Sequence, residues 1–322
     1  MFVAIHGMDQ WVTIRGSDVN NPVLLMLHGT GFALSAMAPF FALWEKDFTI
    51  AQWDQPGAGA TFAKNGEAKT GPLSLGRIAR DGLAVTEFVG QRLHFVGRGL
   101  HEDKVILLGL SGGSMVGLKM VKLQPKLFSA YVGSGQFVNW SRQDALGYAM
   151  ALERARTAND AKALAELGQI GAPPYQDAAT DAIKSKYVAG LTTAEQAVFA
   201  SLDPSVMAAM KAPPADAHYI ARELAAFDPR AQALAAYISM RAELTGFDAR
   251  KLGLKFEVPM FFFQGEDDAY SVTREVEAYE AEIQAPTKMF VAIKGGGHSA
   301  FFLRDEFLRL LARQVRPVAV AK

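Results

Sequence analysis

The sequence predicts an α/β fold: a mostly parallel sheet with helices on both faces, interrupted by one long helical insertion. Three observations carry this. Short, unbroken apolar runs recur between helical patterns through the first half, as strands buried on both faces require. From about residue 140 to 247 those runs vanish, and alanine becomes dense with arginine and glutamate interspersed. Beyond that stretch the strand-and-helix rhythm resumes and continues to the C-terminal region. At 322 residues the chain is longer than the usual single domain, which one core plus an insertion accommodates.

Taken in order, the first strand is WVTIR at 11–15, followed by PVLLMLHG from Pro22 and FTIAQWD from Phe48. SLGRIARDGLAVTEFVGQRL has apolar residues at helical spacing behind Ser74, a residue suited to cap a helix N-terminus. KVILLGL from Lys104 and LFSAYVGSG from Leu127 are the next strands. Prolines from Pro173 to Pro229 divide the insertion into several short helices, since each ends or kinks a helix. The sheet resumes with VPMFFFQG from Val258, a helix over 272–283, and KMFVAIKGGGH from Lys288. A single amphipathic helix, AFFLRDEFLRLLARQV, is expected over 300–315.

Composition narrows the chemistry. Thirty-three basic and 33 acidic residues cancel, and no run of like charges steers the protein toward nucleic acid or an acidic membrane. Without cysteine there is no thiolate nucleophile, disulfide or zinc-thiolate site, leaving Ser, His, Asp and Glu to act, with no cofactor or metal expected. The N-terminal MFVAIHGMDQ has no basic region, and no segment approaches roughly 18 uninterrupted apolar residues. The expectation is a soluble, cytoplasmic protein acting on a small molecule or short peptide.

Gly109-Leu110-Ser111-Gly112-Gly113 fits G-x-S-x-G and lies between a strand and a helix. Its glycines permit a sharp turn that holds the serine at the carboxyl edge of the sheet. There the N–H of Gly112, at a helix N-terminus, faces where an oxyanion would form. A serine hydroxyl needs a base, and the base needs an orienting acid. Of the six histidines, His298 stands in GGGHS after the last strand, where three glycines let the loop fold over the sheet edge. His6, His94, His101 and His218 occupy unpatterned or helical settings. The acid belongs in FFFQGEDDAY, where Asp268 is chosen and Asp267 is the fallback; GSGQFVNW, after the preceding strand, has no carboxylate before Asp144. The chain order Ser, Asp, His suits a sheet-edge triad of this kind. In LHGTGF the N–H of Thr30 is the second oxyanion donor, and His28 braces the loop. Phe32, Phe137 and Trp140 are candidates for an apolar pocket.

LHGTG (27–31), WDQPGAG (53–59), GLSGGS (109–114), GEDD (265–268) and GGGHS (295–299) together resemble the proline iminopeptidase-like α/β-hydrolases, peptidase family S33. That family's motifs read approximately HGGPG, DQRGxGxS, GxSxG, GxxD and GxGHS. The resemblance covers nearly the whole chain outside the insertion. It implies an α/β-hydrolase fold with a sheet of about eight strands, a core of residues 1–136 and 248–322, and a helical cap over 137–247. It also implies Ser111 as nucleophile, His298 as base and Asp268 as acid. Departures concern the substrate: Thr30-Gly31-Phe32 replaces glycine-proline-glycine, Pro56 replaces an arginine, and the Trp-Glu pair of the aminopeptidase cap is missing near Trp140. Such aminopeptidases hold the substrate ammonium with cap glutamates; Glu153, Glu166, Glu195, Glu223 and Glu243 are available, with none singled out.

The function expected is a cofactor-free serine hydrolase working through an acyl-enzyme, on a small ester or on an N-terminal, prolyl-type peptide bond. Its activity should fall as pH drops through about 6.5, because the base must be neutral. A ligand-binding protein on the same fold, an acyltransferase and a C–C hydrolase are the alternatives. Dehalogenases and epoxide hydrolases need a carboxylate at the nucleophile position, which Ser111 excludes.

Overall fold

The computed structural model describes residues 1–96, 104–211 and 229–320. His101, Pro213, Pro214, His218 and Glu223 lie outside them. Eight strands form one sheet in the order β1-β2-β4-β3-β5-β6-β7-β8. They are β1 (Phe2–Ile5), β2 (Met8–Arg15), β3 (Val23–Leu27), β4 (Thr49–Asp54), β5 (Val105–Leu110), β6 (Phe128–Ser134), β7 (Met260–Gly265) and β8 (Lys288–Ile293). From β4 to β8 every pairing is parallel, while β1 with β2 and β2 with β4 are antiparallel.

The sheet edge corrects the sequence reading at one point. Phe2–Ile5, left unassigned there, is a strand, and the next begins at Met8 instead of Trp11. His6 and Gly7 join them with φ of 46° and 82°, the left-handed pair that a two-residue hairpin turn demands. His6 also places Nδ1 2.7 Å from Asp81 Oδ1.

Helices cover both faces because the central strands are buried throughout and successive side chains point to opposite sides. Leu25, Leu27, Leu107 and Phe262 enter one apolar layer, and Leu24, Met26, Leu108, Phe261 and Phe263 the other. In chain order the flanking helices begin with α1 (Ala38–Phe41), α2 (Gly59–Thr70), α3 (Leu75–Phe95) and α4 (Gly112–Leu123). Ser74 caps α3 by accepting from Arg77 N at 3.0 Å.

Between β6 and β7 come α5 (Trp140–Thr157), α6 (Ala161–Ile170), α7 (Ala178–Val188), α8 (Thr193–Ala200), α9 (Pro204–Lys211) and α10 (Pro229–Thr245). The two ends of this helical stretch are laced together. Trp140 N donates to Phe247 O at 3.0 Å, Ala249 N to Val138 O at 2.7 Å, and Asn139 bridges Asp248. After α11 (Thr273–Glu282) and β8, the expected single C-terminal helix is broken instead. It runs as a 3-10 turn at Ala300–Phe302, α12 (Arg304–Leu310), a π-helical turn at Leu311–Val315 and a final turn at Arg316–Val320. Leu303, with ψ of 61°, makes the first break, and the π turn sits just before Pro317, which lacks the N–H that would continue the ladder. Among the described residues no helix is long and apolar enough to cross a membrane.

Candidate active site

The turn from β5 into α4 is tight, and its glycines are sterically required. A Cβ on Gly113 would lie 2.3 Å from Leu27 O, and one on Gly109 2.8 Å from Ser114 Cα. Between them Ser111 holds φ of 52°, a strained value for a residue with a side chain. Its N–H donates to Ser134 O at 2.9 Å, fixing the turn to the end of β6.

The loop after β8 brings His298 to this serine. Nε2 of His298 is 2.8 Å from Ser111 Oγ, and Nδ1 is 3.1 Å from Asp268 Oδ2. A proton on Nδ1 faces the carboxylate and leaves Nε2 to accept from the hydroxyl. Asp268 is fully buried, whereas Glu266 and Asp267 are exposed. Its Oδ1 accepts from Tyr270 N at 2.8 Å and Ser271 N at 2.9 Å; its Oδ2 accepts from Ser271 Oγ at 2.5 Å and Gln264 Nε2 at 2.6 Å. Burial opposes ionisation, but the neighbouring His298 and these donors prevail and hold the carboxyl below its usual range. Gln264 also accepts from Gln136 N at 3.0 Å, tying Asp268 to the end of β6.

Thr30 packs against the start of α4: a Cβ on Gly112 would meet Thr30 N at 2.9 Å. Both residues line the cavity in front of Ser111. His28 is buried under the loop, with Nδ1 2.7 Å from Gly29 O and Nε2 accepting from Gln55 N at 3.0 Å. Burial lowers its pKa from 6.5 to about 4, so it stays neutral as a brace. Phe32, Phe137 and Trp140 all line the same cavity, of about 590 Å³, with Phe32 half-exposed at its mouth.

The four candidate glutamates among the described residues lie elsewhere. Glu153 pairs with Arg156 and Glu166 with Lys186, while Glu243 accepts from Leu75 N at 2.7 Å. Glu195 is fully buried and turned toward the His298 loop: it accepts from Gly297 N at 2.8 Å and Thr192 N at 2.9 Å, and Thr192 Oγ1 donates to Gly295 O at 2.7 Å. Burial raises its pKa against those two backbone donors. Sequence reasoning missed this arrangement, though T-x-x-E at 192–195 was a legible capping box. It also missed Ser271, Gln264, Tyr270 and Asp181, whose places depend on packing. Among the described residues no cluster of three or more His, Asp or Glu side chains could hold a metal ion.

Residues 24–310 match the model of the alpha/beta hydrolase family. A Bacillus subtilis protein named probable aminopeptidase YbaC is 25% identical over 318 residues, spanning 98% of this chain and 95% of that protein. Among solved structures, a proline iminopeptidase-related protein of Thermus thermophilus superposes with a TM-score of 0.61 at 16% identity, covering 99% of this chain and 97% of that one. The proline iminopeptidase of Mycobacterium smegmatis gives 0.60 at 16% identity, over 99% and 98%. An esterase from Thermogutta terrifontis gives 0.59 at 16% identity, over 99% of each. At such identities the structural likeness speaks for the fold, and the family match speaks for descent. With its serine on a strained strand-to-helix turn and its sheet order intact, this chain belongs to the alpha/beta hydrolase family.

Proposed function

We propose that the protein is a cofactor-independent serine hydrolase with Ser111, His298 and Asp268 as its triad. One observation carries the reading: the Oγ–Nε2 separation of 2.8 Å, continued by Nδ1 to Asp268 at 3.1 Å. Ser111 Oγ attacks the substrate carbonyl carbon as its proton passes to His298 Nε2. The buried Asp268 carboxylate stabilises the imidazolium. The N–H groups of Thr30 and Gly112 receive the oxyanion. Collapse expels the leaving group, which takes the proton from His298, and leaves an acyl group on Ser111. Water, deprotonated by the same imidazole, then releases the acid and restores the serine.

The helices of 137–247 serve as a cap on a core formed by 1–136 and 248–322. This reading is supported by residues of α7 and α10 in the cavity wall, opposite Ser111. The substrate is a small ester or a short peptide with a free N-terminus. In the test, Ser111→Ala should lower kcat by roughly three or more orders of magnitude with an unchanged circular dichroism spectrum, and should lose labelling by a fluorophosphonate. Retained hydrolysis by that variant overturns the triad.

A further inference from the structure

The walls of the cavity are aromatic. Trp140 stacks on Phe137 at 4.8 Å and 18° and on Tyr237 at 6.2 Å and 29°; Tyr270 stands edge-on to Trp140 at 6.1 Å and to His298 at 4.8 Å. Among the described lining residues one carboxylate occurs, that of Asp181 on α7. It is not left open to a guest. Its Oδ2 accepts from the Tyr237 hydroxyl at 2.6 Å and from Arg241 Nε at 3.0 Å. Arg241 is anchored in turn by Nη2 donating to Tyr175 O at 2.5 Å, and it stands behind the wall, outside the cavity lining. A carboxylate paired in this way offers almost no net attraction to a cation, and an entering ammonium would compete with a guanidinium already in place. An uncharged apolar acyl group instead buries its surface against the rings at no such cost.

Resting on the serine-hydrolase reading, we propose that the substrate is an ester with an uncharged, apolar acyl chain, and that Arg241 sets this preference by cancelling the charge of Asp181. The site therefore differs in selectivity from one built to grip a free N-terminus.

The test uses the full-length protein and two methyl esters with one carbon skeleton, methyl pentanoate and methyl 2-aminopentanoate, followed by pH-stat at pH 7. For the wild type, kcat/KM should favour the uncharged ester by about tenfold, since roughly a tenth of the amino ester is unprotonated at pH 7. From acetate to hexanoate it should climb about fourfold per methylene, the equivalent of burying each CH₂. Arg241→Met should narrow the preference about tenfold by freeing Asp181, whereas Arg241→Lys, which keeps the charge, should preserve it. A wild-type ratio near one, or in favour of the amino ester, overturns the proposal, as does a folded Arg241→Met with an unmoved ratio. If Arg241→Met does not fold, the wild-type ratio decides alone. Inactivity on both esters with Ser111 still labelled by fluorophosphonate overturns the substrate assignment only; absence of labelling strikes the triad itself.

Discussion

The Glu195 carboxylate accepts a hydrogen bond at 2.8 Å from the backbone N–H of Gly297, the residue immediately before His298. Helix α8 thereby grips the loop that carries His298, the base of the proposed triad. Because a misplacement of about 1 Å can cost roughly 100-fold in rate, this contact bears on catalysis without touching substrate. Glu195→Gln turns one acceptor into a donor facing an N–H. The expected result is a fall in kcat of about 10- to 100-fold with KM little moved, alongside a stability loss of about 1–3 kcal/mol. Steady-state kinetics with a melting curve check it; a change confined to KM would refute the positioning role.

At the turn into α4, Gly113→Ala must push its new methyl into Leu27 O, which stands 2.3 Å away. Backbone cannot yield as a flexible side chain does, so a cost of about 3 kcal/mol is expected, with loss of activity as Ser111 shifts. Urea unfolding measures the first and esterase assays the second.

Two buried groups give stability opposing dependences on pH. Burial raises the Asp54 pKa from 3.8 to about 6, against hydrogen bonds from Ala60 N and Ser35 Oγ. Between these values the native carboxyl keeps a proton that the unfolded chain has released, so its contribution falls as pH rises. For His28, with 6.5 lowered to about 4, the unfolded imidazole binds the proton first, and its contribution rises with pH. Each effect amounts to about 3 kcal/mol across its window, so they largely cancel. Asp54→Asn should expose the His28 slope, gaining about 3 kcal/mol relative to wild type from pH 4 to pH 6. Denaturant titrations at several pH values test this, and parallel profiles for the two proteins would contradict it.

Lys184 and Asp144 form an ion pair between α7 and α5, both side chains almost wholly buried. Lys184→Met leaves a lone buried carboxylate and should cost about 3–5 kcal/mol, as should Asp144→Leu; the double variant should recover most of either loss. A double-mutant cycle in urea reads the coupling, and additive losses would deny it.

Much of this was legible in the residues alone. Strands β3 and β5 are uniformly apolar and lie side by side at the sheet centre, where burial on both faces enforces that composition. Glycine flanking of Ser111 and His298 marked two of the three converging loops, because close backbone approach leaves a compositional trace. The antiparallel β1–β2 hairpin escaped, since its turn uses His6 at positive φ, where asparagine or glycine is the usual signal. The break at Leu303 escaped because the apolar spacing on either side suits one continuous helix. The pairing of Asp181 with Arg241 joins residues 60 positions apart, and long-range register of that kind leaves no local pattern to read.

The lacing of Val138 and Trp140 to Phe247 and Ala249 gives the helices between β6 and β7 a single closed doorway. Whatever the span between those four residues, the sheet meets the same two hydrogen-bonded threads, so lengthening or shortening it changes loop-closure entropy only slowly. Substrate selectivity can thus be rebuilt in that span while the turn bearing Ser111 keeps its geometry, provided that α5 keeps its packing against Ala269 and Glu195 its hold on Gly297.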